Sequence, residues 1–241
     1  MAQQTLDPVR SQQRISGLGW KVFLGLLMAY VCYGAFFVAN GGVGFTKDGN
    51  SARIVFFHVP VAIVSYVAYV VGWVYAIRFL KDPTNLDEDR KSGVAMELGF
   101  LFCILATVTG SLFAGSQWGS YWNWDSREIS IVVMLLLYGA YLALRTALTE
   151  PRQRGKIAAV YVLIAIVPAT FLIWVVPRIT ASLHPTDTLQ QPKNTSLDYK
   201  MVLYPSFIAF HMLFTWMFQL RCRVLGVAEK RRQRKWSRMH G

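Results

Sequence analysis

Residues Ile54–Ile77 read IVFFHVPVAIVSYVAYVVGWVYAI, with no Asp, Glu, Lys or Arg among them. About 20 consecutive apolar residues are what an α-helix needs to cross the hydrocarbon core of a bilayer. Five further runs approach or exceed that length, near Leu18–Val38, Leu98–Trp118, Ile129–Leu148, Ile157–Val176 and Met201–Leu220. All six are continuous rather than alternating, which favours helices over barrel strands. The predicted fold is therefore all-α: a polytopic membrane protein of six transmembrane helices, forming one integral-membrane domain over 1–241. Composition agrees. Of the 241 residues 54% are hydrophobic and only 16% charged, against about 25% in a soluble domain, and the mean hydropathy is +0.35. Such a chain is neither a soluble globule nor disordered. The first run follows Arg10 and Arg14 as a signal peptide would. It is long for one and lacks a small-residue cleavage site, so it is read as a retained helix.

Charge placement sets the expected topology. Of the 25 Lys and Arg, 19 fall on one side of the six runs: Arg10, Arg14, Lys21, Arg78, Lys81, Arg90, Lys91, Arg145, Arg152, Arg154, Lys156 and eight from Arg221 to Arg238. Lys47, Arg53, Arg127, Arg178, Lys193 and Lys200 fall on the other. Both termini are expected in the cytoplasm, with outward loops near 39–53, 119–128 and 177–200. Residues 221–241 form a basic cytoplasmic tail, read as a topology anchor meeting anionic headgroups of the lipid bilayer rather than as a nucleic-acid site. Lys81–Lys91 is a mixed-charge loop too short to fold alone. No Walker motif or GxGxxG is present, so any ATP-driven step needs another chain. Cys32, Cys103 and Cys222 are scattered singly and give neither a redox pair nor a CxxCH haem-attachment site.

Chemistry concentrates in Trp118-Gly-Ser-Tyr-Trp-Asn-Trp-Asp-Ser-Arg127. Three Trp and Tyr121 lie within seven residues, beside Asp125 and Arg127. An interfacial aromatic belt is one reading; a platform for a flat apolar ligand bearing carboxylates is the other, and physics alone leaves both open. Two histidines share the outer side. His58 precedes Pro60 at the start of the second helix, suiting a first helical turn. His184 lies in Ser182-Leu-His-Pro185. Together they have the chemistry to hold one haem iron from opposite faces. Arg127 is read as a propionate partner or as a surface pair with Asp125 or Glu128. His211 lies mid-run at membrane depth, with no second histidine at that depth, and is expected to bridge helices by a hydrogen bond. No specific role is assigned to His240.

The segment WGSYWNWDSRE resembles the tryptophan-rich signature of membrane haem-handling proteins. With FFHVP (Phe56–Pro60) and SLHPT (Ser182–Thr186) flanking it, the chain is similar to the cytochrome c maturation protein C family, also called haem exporter protein C, over nearly its whole length. The resemblance implies a haem-handling segment at 118–128 on the outer face, with haem b held non-covalently and passed on. It implies His58 and His184 as axial ligands of the iron, and Trp118, Trp122, Trp124 and Asp125 as the platform. Tyr121 stands where Trp is usual and keeps a flat ring. Implied partners are a membrane-anchored periplasmic haem chaperone (cytochrome c maturation protein E), an ABC-type ATPase with its membrane subunits, and a small membrane subunit, in the bacterial inner membrane. The expected function is haem transfer rather than catalysis.

Other functions remain: a structural membrane adaptor whose tryptophans are merely an interfacial belt, and two kinds of membrane enzyme. A haem–protein ligase of the same signature class is larger and carries more histidines within its helices; this chain has four histidines in all. A haem-b membrane oxidoreductase wants histidines paired on neighbouring helices at depth, and His211 has no such mate.

Overall fold

The computed structural model describes residues 8–39, 51–184 and 196–240, with side chains from Gly17 onward in the first helix. The outer segments 40–50 and 185–195, which include Lys47 and Lys193, lie outside the described residues. The described residues form helices α1 (Pro8–Tyr33), α2 (Val55–Lys81), α3 (Leu86–Trp118), α4 (Ser126–Ala147), α5 (Pro151–Thr170), a one-turn α6 (Val176–Ile179) and α7 (Leu197–His240). Single π-turns, Gly34–Val38 and Phe171–Val175, end α1 and join α5 to α6. Six helical stretches are long and apolar enough to cross a membrane: Gly17–Val38, Val55–Lys81, Leu86–Trp118, Ser126–Ala147, Pro151–Ile179 and Leu197–Met239.

Local sequence explains the boundaries. The Asn85 side chain accepts the Asp87 N–H, and Asp87, Glu88 and Asp89 fill the first turn of α3, where the helix dipole favours negative charge. Much of the mixed-charge stretch expected as a loop is therefore the start of α3, and only the turn around Asp82–Asn85 connects α2 to it. Gly119 ends α3 at φ 79°, a left-handed position suited to a residue without Cβ. Glu150 caps α5, and Pro151 sits at its first turn. Pro60 lies deeper in α2 than expected: the helix starts at Val55, continuing a 3-10 turn over Ser51–Ile54.

In lipid, association rests on packing and close approach rather than on the hydrophobic effect. Tyr69, Cys103, Met134, Tyr138 and Ala165 are buried in one core drawn from α2 to α5. A Cβ at Gly99 would collide with the Tyr138 ring, so this glycine admits α4 to α3. Tyr138 donates its hydroxyl to the Ser65 carbonyl, which satisfies a buried polar group. A second core joins α2, α3 and α7 through Val64, Phe102 and Phe214.

At one end of the bundle, Asp89 is 3% exposed and takes both terminal nitrogens of Arg145 at 2.5 and 3.0 Å. Arg154 lies 3.6 Å from the same carboxylate. This cluster ties α3, α4 and α5. Arg90–Glu229 (2.9 Å) and Arg221–Glu97 (3.1 Å) run α3 and α7 side by side. The basic tail is thus a helical continuation of α7, paired with α3 as far as Glu229. His211 Nδ1 bonds the Phe207 carbonyl of its own helix at 2.7 Å, where a bridge to a neighbouring helix was expected; a mid-helix carbonyl one turn back is the nearer acceptor.

Candidate functional site

At the opposite end, α2, α3, α4 and the α5–α6 junction surround a cavity of ≈ 270 Å³ lined by both His58 and His184. That is just under the usual size of cofactor clefts, roughly 300–1,000 Å³. Trp122, Arg127 and Glu128 border it with the histidines, and Ala62, Ile63, Tyr66, Ile131, Leu172 and Ile173 form apolar wall. Leu172 and Ile173 belong to the Phe171–Val175 π-turn, a feature that recurs at functional sites. Tyr66 braces this wall: its hydroxyl meets Thr170 Oγ1 at 2.9 Å and its ring meets Trp174 edge-on at 5.8 Å.

Hydrogen bonds assign the tautomers of both histidines. His58 Nδ1 is 3.0 Å from Thr109 Oγ1. The Thr109 hydroxyl donates its hydrogen to the Leu105 carbonyl at 2.7 Å, so it accepts from His58. His184 Nδ1 is 3.0 Å from Asp125 Oδ1, and an ionised carboxylate only accepts. Each ring therefore carries its hydrogen on Nδ1 and keeps a lone pair on Nε2.

Asp125 organises more than His184. It caps α4, with Oδ1 accepting the Arg127 N–H at 3.0 Å and the Ser182 hydroxyl at 3.0 Å, while Oδ2 accepts the Leu183 N–H at 2.7 Å. Burial acts to raise its pKa, but these donors and the nearby His184 outweigh it, and the carboxyl titrates below its ordinary value. Burial, helped by the Arg127 charge, lowers the pKa of His184 against the opposing pull of Asp125 and Glu128, so the imidazole is neutral at pH 7. Glu128 completes the capping box by accepting the Asn123 and Asp125 N–H groups at 2.7 and 3.2 Å. That grip holds Trp124 at φ 55°, a left-handed backbone uncommon for a bulky residue.

A family model described as Heme exporter protein C matches residues 8–238. The chain belongs to the heme exporter protein C family. Heme exporter protein C of Bradyrhizobium diazoefficiens is 32% identical over 177 residues, covering 70% of this chain and 64% of that relative. That of Escherichia coli is 36% identical over 130 residues, covering 52% and 53%. That of Paracoccus denitrificans is 26% identical over 179 residues, covering 73% and 74%. The chain thus spans between about half and three quarters of these relatives.

In this heme exporter protein C family member, four of the eight residues expected at the site, His58, Trp122, Arg127 and His184, border one cavity, while Trp118, Tyr121, Trp124 and Asp125 do not line it. The aromatic residues do not form one plane. Trp122 and Trp124 stand at 88° to each other with centroids 5.9 Å apart. Trp124 is 71% and Tyr121 66% exposed. Trp118 packs edge-on against the His184 ring at 4.8 Å, bracing the imidazole. The Arg127 side chain makes no ion pair with Asp125 or Glu128, and its Nε is buried without a hydrogen-bond partner. Sequence reading missed Thr109, Ser182 and Glu128. The Asp-x-x-Glu spacing of a capping box signals Glu128; no local pattern signals a threonine that pairs with a histidine 51 residues away.

Proposed function

We propose that the cavity binds haem on the outer, periplasmic face of a bacterial inner membrane and hands it to a membrane-anchored haem chaperone during c-type cytochrome biogenesis. In this reading His58 and His184 are the axial ligands, Trp122 stacks on the macrocycle, and Arg127 takes a propionate. The observation that carries it is the pair of half-buried imidazoles on one cavity, each with Nδ1 hydrogen-bonded and Nε2 left as a lone pair. Neutral, oriented imidazole is what ferrous or ferric iron takes. The relatives' names speak of heme export, and the chain holds no nucleotide-binding motif, so an ATPase is supplied by other subunits of a shared complex. A cavity this small leaves part of a haem outside, which suits transfer over storage. The exposed Tyr121 and Trp124 rings flank the region where a chaperone would approach. Wild-type protein purified from membranes should show a Soret band with six-coordinate, low-spin character. His58→Ala and His184→Ala should each lose the low-spin form, and an unchanged spectrum in both removes the axial-ligand reading.

A further inference from the structure

The two histidines are oriented by unlike partners. Behind His184 stands the Asp125 carboxylate, itself 8% exposed and held by three other donors. Behind His58 stand neutral acceptors: Thr109 Oγ1, whose own hydrogen is committed to carbonyls within α3, and the Ala106 backbone carbonyl. Next to Thr109, Gly110 leaves the room the ring occupies: a Cβ there would lie 2.8 Å from His58 Cε1. Thr109 and Gly110 therefore form a seat on α3 that fixes both the tautomer and the position of a side chain on α2.

An imidazole whose Nδ1–H faces a carboxylate gains imidazolate character and donates more strongly to a metal than one facing a neutral acceptor. Resting on the haem-binding reading above, we propose that Thr109 is the positioning residue for His58 and that its neutral hydroxyl makes His58 the weaker of two unequal ligands, the one that lets go first when haem leaves the site. His184 would keep its bond while the His58 face opens to an incoming ligand. Atoms balance simply: one nitrogen lone pair leaves the iron, another arrives, and the hydrogens on both Nδ1 atoms stay in place.

The test uses the full chain purified with haem. Thr109→Val removes the hydroxyl acceptor at nearly constant shape and should weaken haem binding 10–100-fold, raise the haem midpoint potential because the ferric form loses more donor strength, and leave the protein folded. Thr109→Ser should restore both values. In the reduced protein, carbon monoxide should displace His58, so the Fe–CO and C–O vibrational bands of the wild type should match those of His58→Gly. Any other match, to His184→Gly or to a mixture, overturns the proposal, as does a Thr109→Val protein with wild-type affinity and potential. If His58→Gly itself keeps the spectrum of a bis-histidine haem, the axial-ligand reading fails instead, and the two failures are told apart.

Discussion

Asp125→Asn separates two roles that one side chain combines. Asn caps helix N-termini about as well as Asp, so the start of α4 and its bond to the Arg127 N–H survive. The change falls on residues 182–184. With the amide oxygen left at Oδ1, a nitrogen donor replaces Oδ2 and faces the Leu183 N–H, which the carboxylate accepted at 2.7 Å. The bond to His184 Nδ1, 3.0 Å long, loses its charge assistance. A hydrogen bond to a charged group contributes about 1.5–3 kcal/mol. If that anchoring is what presents His184 to the iron, haem affinity should fall by roughly 10- to 150-fold. The assay is a haem titration of purified protein at pH 7, with helix content followed by circular dichroism. A dissociation constant within about twofold of wild type would refute the idea that Asp125 positions His184, because the predicted loss lies well outside that range. Glu128→Gln is the contrast: it weakens the grip on Asn123 and Asp125 while leaving the carboxylate behind His184, and should cost less affinity.

Further outcomes follow from the same geometry. The folded-state pKa of His184 lies below its ordinary 6.5, so protons compete with iron at this ligand only below that value; haem affinity measured from pH 8 downward should hold through pH 6.5, and a decline centred at or above 6.5 contradicts the neutral, half-buried imidazole. Arg127→Gln should weaken binding of haem and hardly change binding of haem dimethyl ester, since its guanidinium-bearing side chain borders the cavity; equal losses for both ligands remove that role. Trp122→Ala should reduce haem capture by about 1.5–3 kcal/mol of lost burial, whereas Trp124→Ala, whose ring is 71% exposed, should spare haem binding and slow transfer to the chaperone; the reverse ranking in a titration would place the wrong ring at the cavity. Asp89→Asn should destabilise the fold by about 3–5 kcal/mol, as expected for one partner removed from a buried ion pair, lowering the thermal midpoint in detergent while haem bound per folded protein stays near normal.

Much of the architecture was legible because it is written in local composition. Six apolar runs gave six membrane-length helices, since in lipid a backbone has few other ways to satisfy its polar groups. The helix ends were less legible. Lys81–Lys91 is charged and looks like loop, yet an Asn85 cap, three acids in the first turn and ion pairs to α4, α5 and α7 start α3 within it, at Leu86. Hydropathy reports solvent preference and is blind to a helix that leaves the bilayer intact. The same limit applied to the tail, where positive charge was visible and the continuation of α7 beside α3 was not.

The site divides along the same line. Of the eight residues singled out by their chemistry and by the family resemblance, His58, His184, Trp122 and Arg127 line the cavity. What makes them a site is contact between distant positions: Asp125 holds Ser182, Leu183 and His184, 57 to 59 residues on, and Thr109 holds His58, 51 residues back. A sequence offers no period or spacing for such pairs, because nothing in the chain between them carries the constraint. The aromatic segment is the converse case. Four rings close in sequence suggested one flat platform, but the αL turn at Gly119 and the positive φ of Trp124 send successive rings in different directions. One ring lines the cavity, one braces a histidine, and two face outward. Proximity in sequence therefore overstated what these rings share, while separation in sequence concealed the pairing of acceptors with histidines on which ligand orientation depends.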